Sequence, residues 1–308
     1  MRQANGERAF IEYIKVHRVF APGLFDPEAA YGDDLLHRLE SGLNLTGLWN
    51  GNDWRLGALD RHTAGNIDYI SFELGWRDEA ESFDAPSEYD EDAHQWSEEP
   101  SVKPQGAVAL VLVDVASHEG ALTSMRGEVS VPAVCRALQS ILAQTEIQAV
   151  ADSSGLRPQR EWLVDPVIER GSFEQWAARM ERVTSVTATF HRPNPRTRDD
   201  IQPVVDILYA TGGTTSTIGV SNPEGIDPEA HPVVKGAIAM QTFDYGKLRA
   251  SGVDHEGNAD PFNSEEHPAS DTHNFDAISE DGQPVQPSRA TLLSVLLRYL
   301  ADRLERRQ

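Results

Sequence analysis

Histidine is the side chain that most readily binds a transition metal or relays a proton near neutral pH, and three of the ten histidines fall close together, at His255, His267 and His273. Glu256, Asp260, Glu265, Glu266, Asp271 and Asp276 stand among them. Imidazole nitrogens and carboxylate oxygens are thus offered together, a donor set that suits Zn²⁺, Mn²⁺ or Fe²⁺. His255, His267, His273 and Asp271 are the metal-ligand candidates, and a divalent metal is the cofactor that this segment would imply. Their spacing follows no strong pattern: there is no H-E-x-x-H, no H-x-H, no EF-hand loop and no CxxC. A polar loop that happens to contain histidines is the competing reading.

Asp114 is the second candidate, as a general base or metal ligand. It ends the apolar run Val111, Leu112, Val113, and in open α/β sheets ligands gather at the carboxyl ends of strands. A nuclease of the restriction type would also want an acid two residues before a lysine. None of Lys15, Lys103, Lys235 and Lys247 has one.

The third candidate is basic. His191, Arg192, Arg196 and Arg198 leave a strand just before a helix start, and guanidiniums beside free backbone N–H groups make a phosphate-binding or nucleic-acid-binding corner. Arg298, Arg303, Arg306 and Arg307 add a basic surface on the last helix. A solvated or internally paired arginine cluster is the alternative. No phosphate loop, dinucleotide glycine motif or G-x-S-x-G elbow is present.

Periodicity supplies the elements that must carry these residues. Residues 10–20 read as a strand and 26–40 as a helix, followed by strands at 45–56 and 67–76. The continuously apolar run 107–113 fits a central strand covered on both faces. Residues 130–147 form an amphipathic helix capped by Ser130, with Cys135 on its apolar side. Strands at 162–168, 184–190 and 243–253, helices at 172–180, 199–213 and 228–241, and a helix from Ser288 complete the pattern; Ser172 and Gln175 suggest a capping box. The fold class expected is α/β or α+β, with mixed sheets, packed helices, long acidic loops and an amphipathic C-terminal helix. The polar stretch 151–159 marks a candidate boundary between regions 1–151 and 152–308, although one domain fits as well. The leucines of the last helix suit burial in a core, or a homodimer seam.

The net charge of −22 is uneven. Ten acids in residues 78–99 and nine in 254–281, with no Lys or Arg in either block, account for 19 of the 22 excess charges. The rest is nearly neutral, so bulk charge is a weak argument against a nucleic-acid partner. The lone Cys135 excludes an intramolecular disulfide, and the N-terminus lacks a secretory pattern. A cytoplasmic location away from membranes is expected. The function expected is a non-catalytic binding or assembly component of a bacterial multi-protein system, phage defence being one setting, with protein partners and nucleic-acid contact through the Arg corner. The alternative is a metal-dependent hydrolase or nuclease built on Asp114 or the 255–273 segment.

Overall fold

The computed structural model describes residues 8–20, 31–64, 67–77, 89–90, 94–96, 106–153, 160–169, 171–191, 206, 215–227, 230, 235–236, 238, 246–275 and 287–306. In chain order the elements are β1 (Arg8–Phe20), α1 (Tyr31–Gly42), β2 (Gly47–Trp49), β3 (Asn52–Ala64), β4 (Ile67–Arg77), β5 (Tyr89–Asp90), β6 (Gln95–Trp96), β7 (Gly106–Asp114), β8 (Glu119–Arg126) and α2 (Val131–Ser153). They continue with β9 (Arg160–Pro166), α3 (Ser172–Ala177), β10 (Met180–His191), β11 (Thr215–Ile226), β12 (Gly246–Asp254), β13 (Ala259–Asn263), a 3₁₀ turn (Ser264–Glu266), β14 (Ser270–Asn274) and α4 (Arg289–Glu305). The chain divides into two compact units. The first comprises Met1–Arg18, Asp26–Val164 and Ser270–Gln308; the second comprises Val19–Phe25 and Asp165–Ala269.

The first unit is built on an eight-stranded sheet in the order β14–β1–β8–β7–β4–β3–β2, with β9 also paired to β1. From β14 through β2, every neighbouring pair is antiparallel. β7 is its centre, and residues 107–114 are all buried. Side chains alternate across a strand, so Ala109, Val111 and Val113 meet the core that α1 and α2 cover, together with Phe72, Leu74 and Leu122. Leu110 and Leu112 point to the other face, where α4 packs on β7 and β8 and buries Leu292, Val295, Leu296 and Leu300. Ser288 caps α4, its side chain accepting the Thr291 N–H. Arg289 in the first turn pins the helix to the sheet, its Nε donating to Glu73 Oε1 at 2.9 Å and its Nη2 to the Ala58 carbonyl at 2.7 Å.

The second unit is a four-stranded antiparallel sheet in the order β11–β10–β12–β13. Val186, Ala188 and Phe190 of β10 face a core shared with Phe173 and Trp176 of α3, Leu248 and Phe262.

Sheets that are mostly strand, with few helices packed on them, are broadly consistent with α+β, one of the two classes expected. Several expectations change in detail. The single strand expected at 45–56 is a hairpin, because Asn50 and Gly51 both take positive φ (53° and 78°) and turn the chain between β2 and β3. Ser172 lies inside α3 and caps nothing: Gly171 at φ 78° is the N-cap, with no side-chain cap bond. The second acidic block is not one long loop, since residues 254–274 hold the β12–β13 turn, β13, the 3₁₀ turn and β14. The first acidic block, apart from 89–90 and 94–96, and most of the expected 199–213 helix lie outside the described residues.

Candidate functional site

Several of the candidates read from sequence lie among the described residues. His255 is exposed in the β12–β13 turn. Beside it the Asp254 carboxylate accepts the backbone N–H groups of Asn258 and Glu256, at 2.8 and 2.9 Å. The Asn258 N–H is the main reason that the Asp254 carboxyl titrates below its usual range. His267 follows the 3₁₀ turn and stacks flat on Phe262, with centroids 5.1 Å apart. Asp271 and His273 share a face of β14. Asp271 accepts the Tyr13 hydroxyl at 2.5 Å and lies 3.8 Å from Arg306, while Nδ1 of His273 lies 3.0 Å from the Arg298 guanidinium. Among the described residues no group of three or more His, Cys, Asp or Glu is placed to hold a metal ion.

Asp114 is buried at the end of β7, where its carboxylate accepts the Ser117 N–H at 2.7 Å and its carbonyl accepts the His118 N–H at 3.0 Å. It closes the β7–β8 turn. Since β4 and β8 both run antiparallel to β7, there is no shared carboxyl end at which a ligand would collect. His191 is the last residue of β10, paired through its backbone with Thr215; Arg192, Arg196 and Arg198 lie outside the described residues. Of the basic surface expected on the last helix, Arg307 lies outside the described residues and the other three arginines have neighbours. Arg298 meets His273, Arg306 meets Asp271, and Arg303 lies over the Tyr13 ring and 3.6 Å from Glu119.

Two features escaped the sequence reading. The first is a buried ion network joining β1, α1, α2 and β9. Asp34 accepts Arg18 at 2.8 Å and Arg160 at 2.5 Å. Glu146 Oε1 receives the Trp162 indole N–H at 2.9 Å and pairs with Arg38 at 2.9 Å and Arg160 at 2.8 Å. Its members pair with one another across four distant stretches of chain, which fits a clamp between elements.

The second is a cavity of about 240 Å³ at the β2–β3 end of the first sheet. Register builds one wall: Trp54 stands directly opposite Trp76 across β3 and β4, and Trp49 pairs with Asn52 across the hairpin. Trp49, Gly47, Trp54 and Trp76 therefore share one face. Gly47 lets α2 come close to that face, since a Cβ there would lie 2.8 Å from the Ala137 carbonyl oxygen and 2.9 Å from Ile141. The opposite wall is the entry to α2, with Glu128, Val129, Ser130 and Ala133. Asn50 and Asn52 complete the rim. Trp54 is only 2% exposed, yet its indole N–H has no hydrogen-bond acceptor. Arg136 lies 5.9 Å from the centre of the Trp49 ring.

A family model described as a domain of unknown function, DUF4747, matches residues 84–283, more than half of the chain. The chain belongs to this family. The DUF4747 segment takes in β5 through β14, and with them β7, β8 and α2 of the first sheet. Glu128, Val129, Ser130 and Ala133 lie inside DUF4747, whereas Trp49, Trp54 and Trp76 precede it. No curated protein and no solved structure matches the chain.

The cavity lining offers indole rings, the amides of Asn50 and Asn52, the Ser130 hydroxyl and the Glu128 carboxylate, which is exposed at the rim. The sequence did carry a signal, in the segment Trp49-Asn50-Gly51-Asn52-Asp53-Trp54. An Asn-Gly hairpin turn flanked by tryptophans places both rings on one face of the ribbon. No helix among the described residues is long and apolar enough to cross a membrane.

Proposed function

We propose that this chain is a non-catalytic binding protein, a component that works with partners in a bacterial multi-protein system, and that the tryptophan cavity is its small-ligand site. One observation carries the reading: Trp49, Trp54 and Trp76 line one cavity of about 240 Å³ together with Asn50, Asn52 and Ser130. Pockets that combine apolar and aromatic walls with a few convergent polar groups are the usual form of a small-molecule site. The hydrolase alternative has less support, because Asp114 serves as a turn cap and Asp271 and His273 are engaged with Tyr13, Arg306 and Arg298. Nucleic-acid contact by Arg192, Arg196 and Arg198, and a setting in phage defence, extend the proposal and rest on sequence alone.

The test is a fragment screen against the full chain, read from the indole N–H resonances of the six tryptophans. Binders should shift the signals of Trp49, Trp54 and Trp76 and leave Trp176 unmoved. Trp49→Phe should weaken those binders severalfold, since it removes ring area that lines the cavity, and the same resonances read the loss. Shifts distributed over all six tryptophans, or confined to Trp176, would refute the reading.

A further inference from the structure

β2, β13 and β14 end their sheets without inviting another strand. β2 is three residues long. β14 is five residues long, carries Asp271, and its Thr272 carbonyl accepts the Tyr299 hydroxyl. β13 is five residues long and holds Asp260 and Pro261. Short length, charge and proline are the usual devices that stop one sheet from adding to another. β11, the other edge of the second sheet, has none of them over Thr215-Ser216-Thr217-Ile218-Gly219-Val220-Ser221-Asn222. Among the described residues β10 is its only strand partner. We infer that β11 is an interaction edge, and that its partner is β11 of a second copy of this chain, paired antiparallel about a two-fold axis at Gly219.

The pattern of the strand selects a second copy. A two-fold contact sets residue i against j and j against i. Centred on Gly219, it brings Ile218 against Val220, Thr217 against Ser221 and Ser216 against Asn222, each twice. Every position meets a residue of its own kind: aliphatic with aliphatic, hydroxyl with hydroxyl, and polar end with polar end. Cross-strand pairs of β-branched residues and Thr–Ser hydrogen bonds are among the favourable ones, and no charge meets a like charge. Beyond Ser221 the register with β10 shifts. There the Asn222 amide donates to the Gly225 carbonyl at 2.7 Å, and its oxygen accepts the Glu224 N–H at 3.1 Å. This bulge keeps Glu224, the one charged residue of β11, out of the paired strip.

Apolar burial supplies the driving force. Alternation puts Thr217, Gly219 and Ser221 on the exposed face and Ile218 and Val220 on the core face. Both aliphatic residues pack against the second core yet stay partly exposed. Pairing two copies sets Ile218 and Val220 of one beside those of the other, and runs one four-stranded sheet into the next. Seven residues a side, about 23 Å of strand, make a contact at the low end of specific interfaces. The dimer therefore dissociates on dilution.

The test is sedimentation velocity of the full chain from about 1 to about 300 µM, in about 0.15 M salt so that the net charge of −22 is screened. Wild type should pass from monomer to dimer with Kd of about 1–100 µM. Thr217→Lys with Ser221→Lys changes two exposed side chains that stand opposite each other in the pair, so like charges meet. That variant should stay monomeric throughout, with an unchanged thermal midpoint at the lowest concentration, and so should Thr217→Glu with Ser221→Glu. Mixed in equal amounts, the two variants should associate at least as tightly as wild type. A wild type that is monomeric at every concentration would overturn the inference. So would a dimer that neither paired variant weakens, which would lie on another face such as α4. Folded variants that fail to associate when mixed would overturn it too.

Discussion

Two enclosed titratable residues, a half-buried histidine and a buried glutamate, pull the stability of this protein in opposite directions as pH changes. His118 stacks on Tyr31, with centroids 3.6 Å apart. Desolvation, followed by the positive charges of Lys15 and Arg18, pushes its pKa down from 6.5 to about 4. Between those values the unfolded chain takes up a proton that the folded chain refuses, so this contribution is present above pH 6.5 and is lost as pH falls towards 4. Glu12 behaves oppositely. It is 6% exposed, and burial raises its pKa from 4.5 to about 7. Its contribution is present below pH 4.5 and is lost as pH rises through 7. The two windows overlap, and their slopes nearly cancel in the wild type. His118→Asn, which tolerates the positive φ of 62° at that position, should therefore leave stability falling with pH. Glu12→Gln should leave it rising. Each should differ from wild type by up to about 1.4 kcal/mol per pH unit between pH 5 and 6, measured by urea unfolding. Equal slopes for the two variants would refute the assignment. Neither residue could be chosen from sequence. Glu12 and His118 look like ordinary polar positions until the sheet and α1 enclose them, just as Asp114 looks catalytic until its turn is seen.

Elements were more legible than sites, because periodicity reports which face is buried but not what the polar residues on that face meet. β1, β4, β7, β10, α2 and α4 follow their patterns closely. β8 and β11 were missed: β8 has small and polar residues mixed among its apolar ones, and β11 has little apolar content. The ion network was invisible for a related reason, since Arg18, Asp34, Glu146 and Arg160 come from four separate stretches. Its energetic weight is large because it is enclosed. Glu146→Gln keeps the shape but leaves Arg38 and Arg160 short of their shared carboxylate, and should cost about 3–5 kcal/mol. Arg61 pairs with Asp33 and Asp68 at equally short distances, 2.5 Å each, but on the surface. Arg61→Ala should cost under about 1 kcal/mol. Urea midpoints with unchanged m-values would check both, and similar losses in the two variants would contradict the clamp role given to Glu146.

At the scale of the whole molecule, the longer segment of the second unit, Asp165–Ala269, begins and ends side by side. Ile168 bridges Pro268 in antiparallel fashion, and the Ala269 N–H donates to the Val167 carbonyl at 2.8 Å. Of the acids that composition grouped into residues 254–281, Glu265 pairs with Lys247 at 2.8 Å and Asp271 accepts the Tyr13 hydroxyl, while Asp276, Glu280 and Asp281 lie outside the described residues. The first unit resumes at Ser270, where β14 pairs with β1 and α4 then covers the second face of the sheet. Each hydrophobic core draws its residues from one unit: Ile14 to Val164 for the first, Phe173 to Phe262 for the second. Replacing residues 169–267 by Asn-Gly would join two bridged residues through a two-residue hairpin turn, leaving that first core complete. This shortened chain should unfold in one cooperative transition, retain near-ultraviolet circular dichroism and keep the ligand-induced shifts of Trp49 and Trp76. Removing residues 270–308 instead takes away β14 and α4 and exposes Leu110 and Leu112, so that chain should lose cooperativity. An excised chain that binds ANS and unfolds without a transition would show that the first unit does not fold without the inserted segment.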